Sequence, residues 1–221
     1  MPKAMLPVGG KPVIRWIIEG LKKHGLIDIL ICINSNFNGV FRDYLEDGSR
    51  FGVKIQYSVS DRPLGTAGEV FNARKRIGGS FLLYYGDELT PVNLSELIEF
   101  HRTRHDGLAT LALVKNVPLE VGLVELDRDR VIEIKEKPPI EKTTWAGIAL
   151  LEQRIFKYMK GEEDFASRVF PRALSSGEVI YGYVSDALWL DVGTLSHYKK
   201  ADDLAKAGKL AINQRNEAST K

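Results

Sequence analysis

The residues best placed to do chemistry are two aspartates that share one local pattern. Asp87 follows Gly86 at the end of the apolar run Phe81-Leu82-Leu83-Tyr84-Tyr85, and Asp191 follows Trp189-Leu190 and precedes Val192-Gly193-Thr194. A carboxylate at the C-terminal end of a buried strand lies where open α/β sheets bind ligands. Two of them can share one Mg²⁺, a cation that takes a few carboxylates and fills its other positions with water and phosphate oxygens. A second pattern, Pro63-Leu64-Gly65-Thr66-Ala67-Gly68, lies between an expected strand and an expected helix. Its glycines let the backbone approach a flat base or a phosphate, and Thr66 can cap the helix that follows. Glu136-Lys137-Pro138-Pro139 closes another strand. There Lys137 can hold a phosphate as a point charge and Glu136 a hydroxyl, although an exposed Glu-Lys pair is also what a solvated face carries. Lys3, near the front, is a further candidate cation.

Other chemistries find little support. His24, His101, His105 and His197 have no metal-site spacing with cysteine or with one another, and all four are expected at the surface. Cys32 sits in the apolar run Ile29–Ile33 as a small buried hydrophobe. One thiol makes no internal disulfide, which suits a reducing cytoplasm. Lysine and arginine number 31 against 29 acidic residues, a net charge of +2, so nothing suggests nucleic-acid binding. No run of about 20 apolar residues exists to span a membrane, and no apolar stretch of signal-peptide type precedes Lys11.

These residues need a frame to hold them. Short apolar runs alternate with amphipathic stretches, which predicts an α/β fold: a Rossmann-like, mostly parallel sheet with helices on both faces. Val13, Ile14, Ile17, Ile18 and Leu21 recur at helical spacing between Pro12 and Gly25. Strands are expected at 28–34 (a continuous run of the buried type), 53–59, 81–85 and 108–114, with helices at 40–46, 68–77 and 95–105, the last capped by Ser95. After Val114 the rhythm changes. Residues 122–126 and 131–135 flank Asp127-Arg128-Asp129-Arg130 as an antiparallel hairpin insertion. Strands at 144–151, 178–185 and 187–190 follow, with helices at 164–174 and 195–207. Residues 1–208 read as one domain and 209–221 as a polar, frayed tail. No strand precedes the first helix, so the first strand of such a sheet is missing from the sequence.

Taken together, the motifs resemble the sugar-1-phosphate nucleotidyltransferase family, whose members make nucleotide-diphosphate sugars. In family order they are Pro2-Lys3-Ala4-Met5-Leu6-Pro7-Val8, Pro63–Gly68, Gly86-Asp87, Val121-Gly122, Glu136-Lys137-Pro138, Ala146-Gly147-Ile148 and Trp189–Thr194. The resemblance implies that Asp87 and Asp191 bind the catalytic Mg²⁺ and that Lys3 contacts phosphate. It gives Leu64, Gly65, Thr66, Ala67, Gly68 and Gly86 to the nucleotide, and Gly122, Glu136, Lys137 and Gly147 to the sugar phosphate. The substrates would be a nucleoside triphosphate and a sugar-1-phosphate, with pyrophosphate released and a homo-oligomer compatible with the family. Guanylyl transfer to mannose-1-phosphate is the first expectation, thymidylyl or uridylyl transfer to glucose-1-phosphate the next.

Two departures qualify the resemblance. The family's Gly-x-Gly-Thr-Arg-Leu loop precedes the Pro-Lys motif, whereas this sequence starts after that point. A start assigned at an internal methionine is favoured over a truncated or partnered protein. Low pyrophosphorylase activity and exposed strand edges are the expected consequences. Secondly, Trp145 stands where many members carry Asn, which puts the sugar contact there in question. A non-catalytic nucleotide-sugar-binding regulatory subunit is the alternative reading. A glycosyltransferase-like domain is disfavoured, since Asp87-Glu88-Leu89 is not the Asp-x-Asp such domains use.

Overall fold

A computed structural model describes residues 1–119 and 121–210. The chain opens with a 3₁₀ turn, Lys3–Met5, that buries Ala4 and Met5. Two short strands that the sequence reading did not expect before the first helix, β1 (Pro7–Val8) and β2 (Lys11–Pro12), then pair antiparallel. Helix α1 (Val13–Lys23) starts directly after Pro12 and buries Val13, Ile14, Ile17, Ile18 and Leu21, as their spacing predicts. Strand β3 (Asp28–Asn34), helix α2 (Asn38–Leu45) and strand β4 (Lys54–Ser60) form a parallel unit, paired from Asp28↔Lys54 to Asn34↔Ser60. Helix α3 (Gly65–Ala73), strand β5 (Phe81–Tyr84), the two-residue strand β6 (Glu88–Leu89), helix α4 (Leu94–Arg102) and strand β7 (Gly107–Val114) follow. Strands β8 (Leu123–Asp127) and β9 (Arg130–Lys135) are the predicted hairpin. The chain closes with β10 (Thr144–Leu151), α5 (Phe170–Ser175), β11 (Val179–Ser185), β12 (Leu190–Asp191) and α6 (Leu195–Lys206).

The α/β class is as expected, and the pairing within it is mixed. The central sheet runs β11-β7-β10-β5. Strands β11 and β7 are parallel, while β10, which enters from the hairpin side, runs against both of its neighbours. Strands β3 and β4 make a separate pair. Helix α1 joins the two sheets: Val13, Ile17 and Leu21 pack with Leu97, Ala112, Val114 and Ile148, whereas Ile14 and Ile18 pack with Ile31, Ile33, Phe41 and Ile55. Helix α3 continues that bridge, with Ala67 and Val70 against Leu83, Ala149 and Leu151.

Several local expectations are corrected. Residues 28–34 read as a strand buried throughout, yet only Ile31 and Ile33 are buried. The other face of that pair is polar, because Ser60 Oγ donates to Glu69 Oε1 (2.8 Å) and Asn72 Nδ2 to Ser58 Oγ (3.4 Å). Helix α4 is capped by Asn93, not Ser95. Asn93 Oδ1 accepts from the Ser95 and Glu96 amides at 3.1 and 3.3 Å, which places Ser95 inside the first turn. Helix α3 starts at Gly65, three residues earlier than its apolar pattern suggests, and ends at Ala73 in a 3₁₀ turn, Arg74–Arg76. The strand expected at 187–190 forms only where it finds a partner, at Leu190 and Asp191. Lys209 and Leu210, expected to fray, both donate their amides to Leu204 O, and Leu210 is buried. Residues 211–221 lie outside the described residues. Among those described, no helix is long and apolar enough to cross a membrane.

The pairing of β6 with β12 rests on Leu89 and Leu190, each 1% exposed. Truncation of Leu89 to Ala should therefore cost about 2–5 kcal/mol in a denaturant unfolding experiment. A loss below about 1 kcal/mol would mean that this junction does not depend on apolar burial.

Candidate active site

Pairing puts Leu190 opposite Leu89 and Asp191 opposite Glu88. Successive side chains of a strand face opposite sides, so the two leucines sink into the core while Asp191 and Glu88 turn the other way. The Val192 amide donates to Asp87 O at 3.0 Å and locks the second aspartate to the same turn. Lys3 reaches this turn from the buried Ala4–Met5 anchor, and its Nζ lies 3.2 Å from Asp87 Oδ2. The Gly193 amide donates to Asp191 Oδ1 at 2.7 Å. A Cβ on Gly193 would overlap both the Lys3 ammonium and Asp191 Oδ1, so those two groups converge on one small space. Lys3, Asp87 and Asp191, chosen from separate sequence motifs, are thus brought together.

The electrostatics follow from that crowding. The hydrogen bond to Asp87 raises the Lys3 pKa, with the charges of Asp87, Asp191 and Glu88 adding to it. Glu88, which the motif reading passed over, is 7% exposed. Burial pushes its pKa up to about 9, and the neighbouring charges of Asp191 and Asp87 push the same way. Its Oε2 has no hydrogen-bond partner among the described residues. A signal was available in the sequence, since Glu88 is a second acid directly after Asp87 and directly before the apolar Leu89. Asp87 and Asp191 present the hard oxygen donors that magnesium takes. Among the described residues no group of three metal-ligating side chains gathers at one place, so water and substrate oxygens would have to complete a cation's shell.

The other expected residues take up varied places. Gly147 lies at a bulge of β10 with φ 71°, where its carbonyl accepts from the Tyr85 amide at 3.0 Å. A Cβ there would lie 2.9 Å from Glu88 Cγ and 3.1 Å from Tyr85 Cβ, so the glycine lets β10 press against the aspartate turn. Gly86 lies in that turn, with Ala4 Cβ close by. Trp145 turns inward. Its indole donates to Ile148 O at 2.9 Å, and its ring meets Tyr85 and Phe170 edge-on. Leu64 is the N-cap of α3, and Gly65, Thr66, Ala67 and Gly68 form its first turn. Thr66 does not cap that helix. Asp164, far along the chain, does so by accepting from the Thr66 amide at 2.8 Å. Gly122 and Glu136 meet at the foot of the hairpin, where Glu136 Oε2 is 3.2 Å from the place a Gly122 Cβ would take. Lys137 follows with φ 45°, and β8 and β9 are exposed along their whole length.

Of the histidines, His105 is exposed as expected, and His24 is half-buried with Nδ1 2.8 Å from Ser95 Oγ. His101 and His197 are buried, contrary to expectation. His101 finds Thr110 Oγ1 at 2.8 Å and Glu152 Oε1 at 3.0 Å, and His197 packs edge-on to Trp189. Cys32 is half-buried, and burial pushes its thiol up to about 12, which leaves it unreactive.

With this geometry in hand, comparison with known proteins defines the class. The chain belongs to the nucleotidyl transferase family, whose model matches residues 1–207. It is 35% identical over 202 residues to a mannose-1-phosphate guanylyltransferase of Mycobacterium tuberculosis, covering 87% of this chain and 55% of that protein. It is 32% identical to a D-glycero-alpha-D-manno-heptose 1-phosphate guanylyltransferase of Aneurinibacillus thermoaerophilus, covering 91% of this chain and 88% of that one. The chain therefore spans only about half the length of the mycobacterial relative. HddC of Yersinia pseudotuberculosis, solved with GMP-PN, shares the fold with a TM-score of 0.74 at 22% identity, covering 92% of this chain and 89% of that one.

Glu88 yields a pH prediction. Its folded pKa, raised to about 9, lies above its ordinary value of 4.5, so the protonated form is the one the fold favours. That contribution is complete below the unfolded value and is lost as pH rises through the folded one. Without divalent cations, the melting temperature of the wild type should fall between about pH 5 and pH 9, and Glu88→Gln should fall distinctly less. Parallel pH profiles would contradict the assignment.

Proposed function

We propose that this protein joins a nucleoside triphosphate to a sugar-1-phosphate, forming a nucleotide-diphosphate sugar and releasing pyrophosphate. The observation that carries the reading is the convergence of Lys3, Asp87 and Asp191 at one strand end. In this reaction an oxygen of the sugar phosphate bonds to the α-phosphorus while the bond to the β-phosphate breaks. The attacking oxygen is already an anion, so no side chain has to remove a proton. What the site must do is position two highly charged partners and offset their repulsion. The Lys3 ammonium, drawn in by the Asp87 and Asp191 carboxylates, would lie against the phosphates. A magnesium ion held by Asp87 and Asp191 would supply further positive charge when bound. Residues Leu64–Gly68 with Gly86 would hold the nucleotide. Gly122, Glu136, Lys137 and Gly147 would receive the sugar phosphate.

Guanylyl transfer to mannose-1-phosphate or a similar sugar phosphate is the favoured specificity, because three relatives more than 30% identical carry guanylyltransferase names. A cytoplasmic setting fits the single, unreactive thiol and the nucleotide substrates.

Nucleotide binding tests this reading independently of turnover. Titration calorimetry with GTP, dTTP and UTP in magnesium buffer should find GTP bound most tightly. Asp87→Asn and Asp191→Asn should each weaken it about tenfold or more, the loss expected when a charged ligand contact is removed. Absence of binding by all three triphosphates, or unchanged affinity in both variants, would overturn the proposal.

A further inference from the structure

The first turn of α3 is held from across the molecule by a segment that no motif marks. Asp164 Oδ1 accepts from the Thr66 amide at 2.8 Å and from Thr66 Oγ1 at 3.0 Å. Thr66 Oγ1 in turn accepts from the Phe165 amide at 3.1 Å. The carbonyl of Glu163 accepts from the Ala67 and Gly68 amides at 2.9 and 3.0 Å. Three amides of this turn, those of Thr66, Ala67 and Gly68, are thereby satisfied by protein groups.

The two glycines belong to the same contact. A Cβ on Gly65 would lie 2.7 Å from Glu163 O, and one on Gly68 would lie 2.5 Å from Gly161 O. They are small so that residues 161–164 can come close, whereas their types alone suggested room for a ligand. The segment is itself anchored. Arg172 of α5 grips the Glu163 carboxylate at 3.1 and 2.7 Å, and the Lys160 amide donates to the same group at 2.5 Å.

The geometry points to Asp164 as a positioning residue for nucleotide binding, one that sets the Leu64–Gly68 turn without touching the nucleotide. This rests on the reading of that turn as the nucleotide's seat. Asp164 is exposed, so its loss should leave the core intact.

The test compares wild type, Asp164→Ala and Asp164→Asn by GTP titration in magnesium and by amide hydrogen exchange. Asp164→Ala should bind GTP about tenfold more weakly, and its amides at Thr66–Gly68 should exchange faster while the rest of the chain is unchanged. Asp164→Asn, which keeps an accepting oxygen, should restore most of both properties. A purely structural residue would instead speed exchange broadly or show no rescue by Asn. GTP affinity in Asp164→Ala within about twofold of wild type would overturn the proposal, as would an Asn variant no better than Ala. If the wild type binds no nucleotide, the reading of the site fails first. The clamp is then judged by exchange alone: local acceleration at Thr66–Gly68 sustains it, and unchanged protection removes it.

Discussion

A ladder two residues long decides where the charges of this protein lie. Glu88 and Leu89 pair with Leu190 and Asp191, and by that pairing two segments from opposite halves of the chain deliver their carboxylates to one place. So short a ladder cannot hold itself together. What holds it is the burial of Leu89 and Leu190 among Val8, Val192, Ala146 and Ala201. The cost is a crowd of acids. Like charges a few ångströms apart repel by several kcal/mol at an effective protein dielectric near 20. Lys3 offsets part of that repulsion directly. Glu88 reduces it by holding its proton. A cation or a phosphate-bearing ligand meets a site whose net charge is shared out in advance.

Around this point the protein is built in two degrees of firmness. On one side the Tyr85 amide is bound to the Gly147 carbonyl, and the first turn of α3 is held by Asp164 and by Glu163, which Arg172 grips in turn. Trp145 and Phe170 pack against the same group and leave it little freedom. On the other side stands the hairpin of β8 and β9, exposed along its length and, among the described residues, paired only within itself. Such a two-stranded unit belongs to the low-stability end of a structure. It carries Glu136 and Lys137 at its foot. The residues assigned to the nucleotide, together with Gly147, therefore lie in the firmly packed part, whereas Glu136 and Lys137 sit at the foot of the exposed hairpin.

Much of this could be read from residue order, and the limits follow from the range of the forces involved. Local pattern sufficed for α1, β3 and β10, where apolar spacing or β-branched runs coincide with the elements found. Asp87, Asp191 and Lys3 were legible because each follows or precedes a recognisable turn. Asp164 was not, because its role depends on meeting a helix formed from residues nearly a hundred positions earlier. The same holds for His101, whose burial is repaid by Thr110 and Glu152 from two other elements. Thr66 had the right type for a cap at the right distance from an apolar run, and a distant carboxylate took that place. Gly65 and Gly68 were read as room for a ligand, and the neighbour that needs the room is the protein's own backbone.

The central claim, that Asp87 and Asp191 serve one bound cation, can be put to a direct physical test with a paramagnetic substitute. Manganese added in small amounts to isotope-labelled protein should broaden the backbone signals of Asp87–Leu89 and Asp191–Thr194 together and to similar extents, before other regions respond. Broadening of only one of these segments, or of neither, would contradict the account.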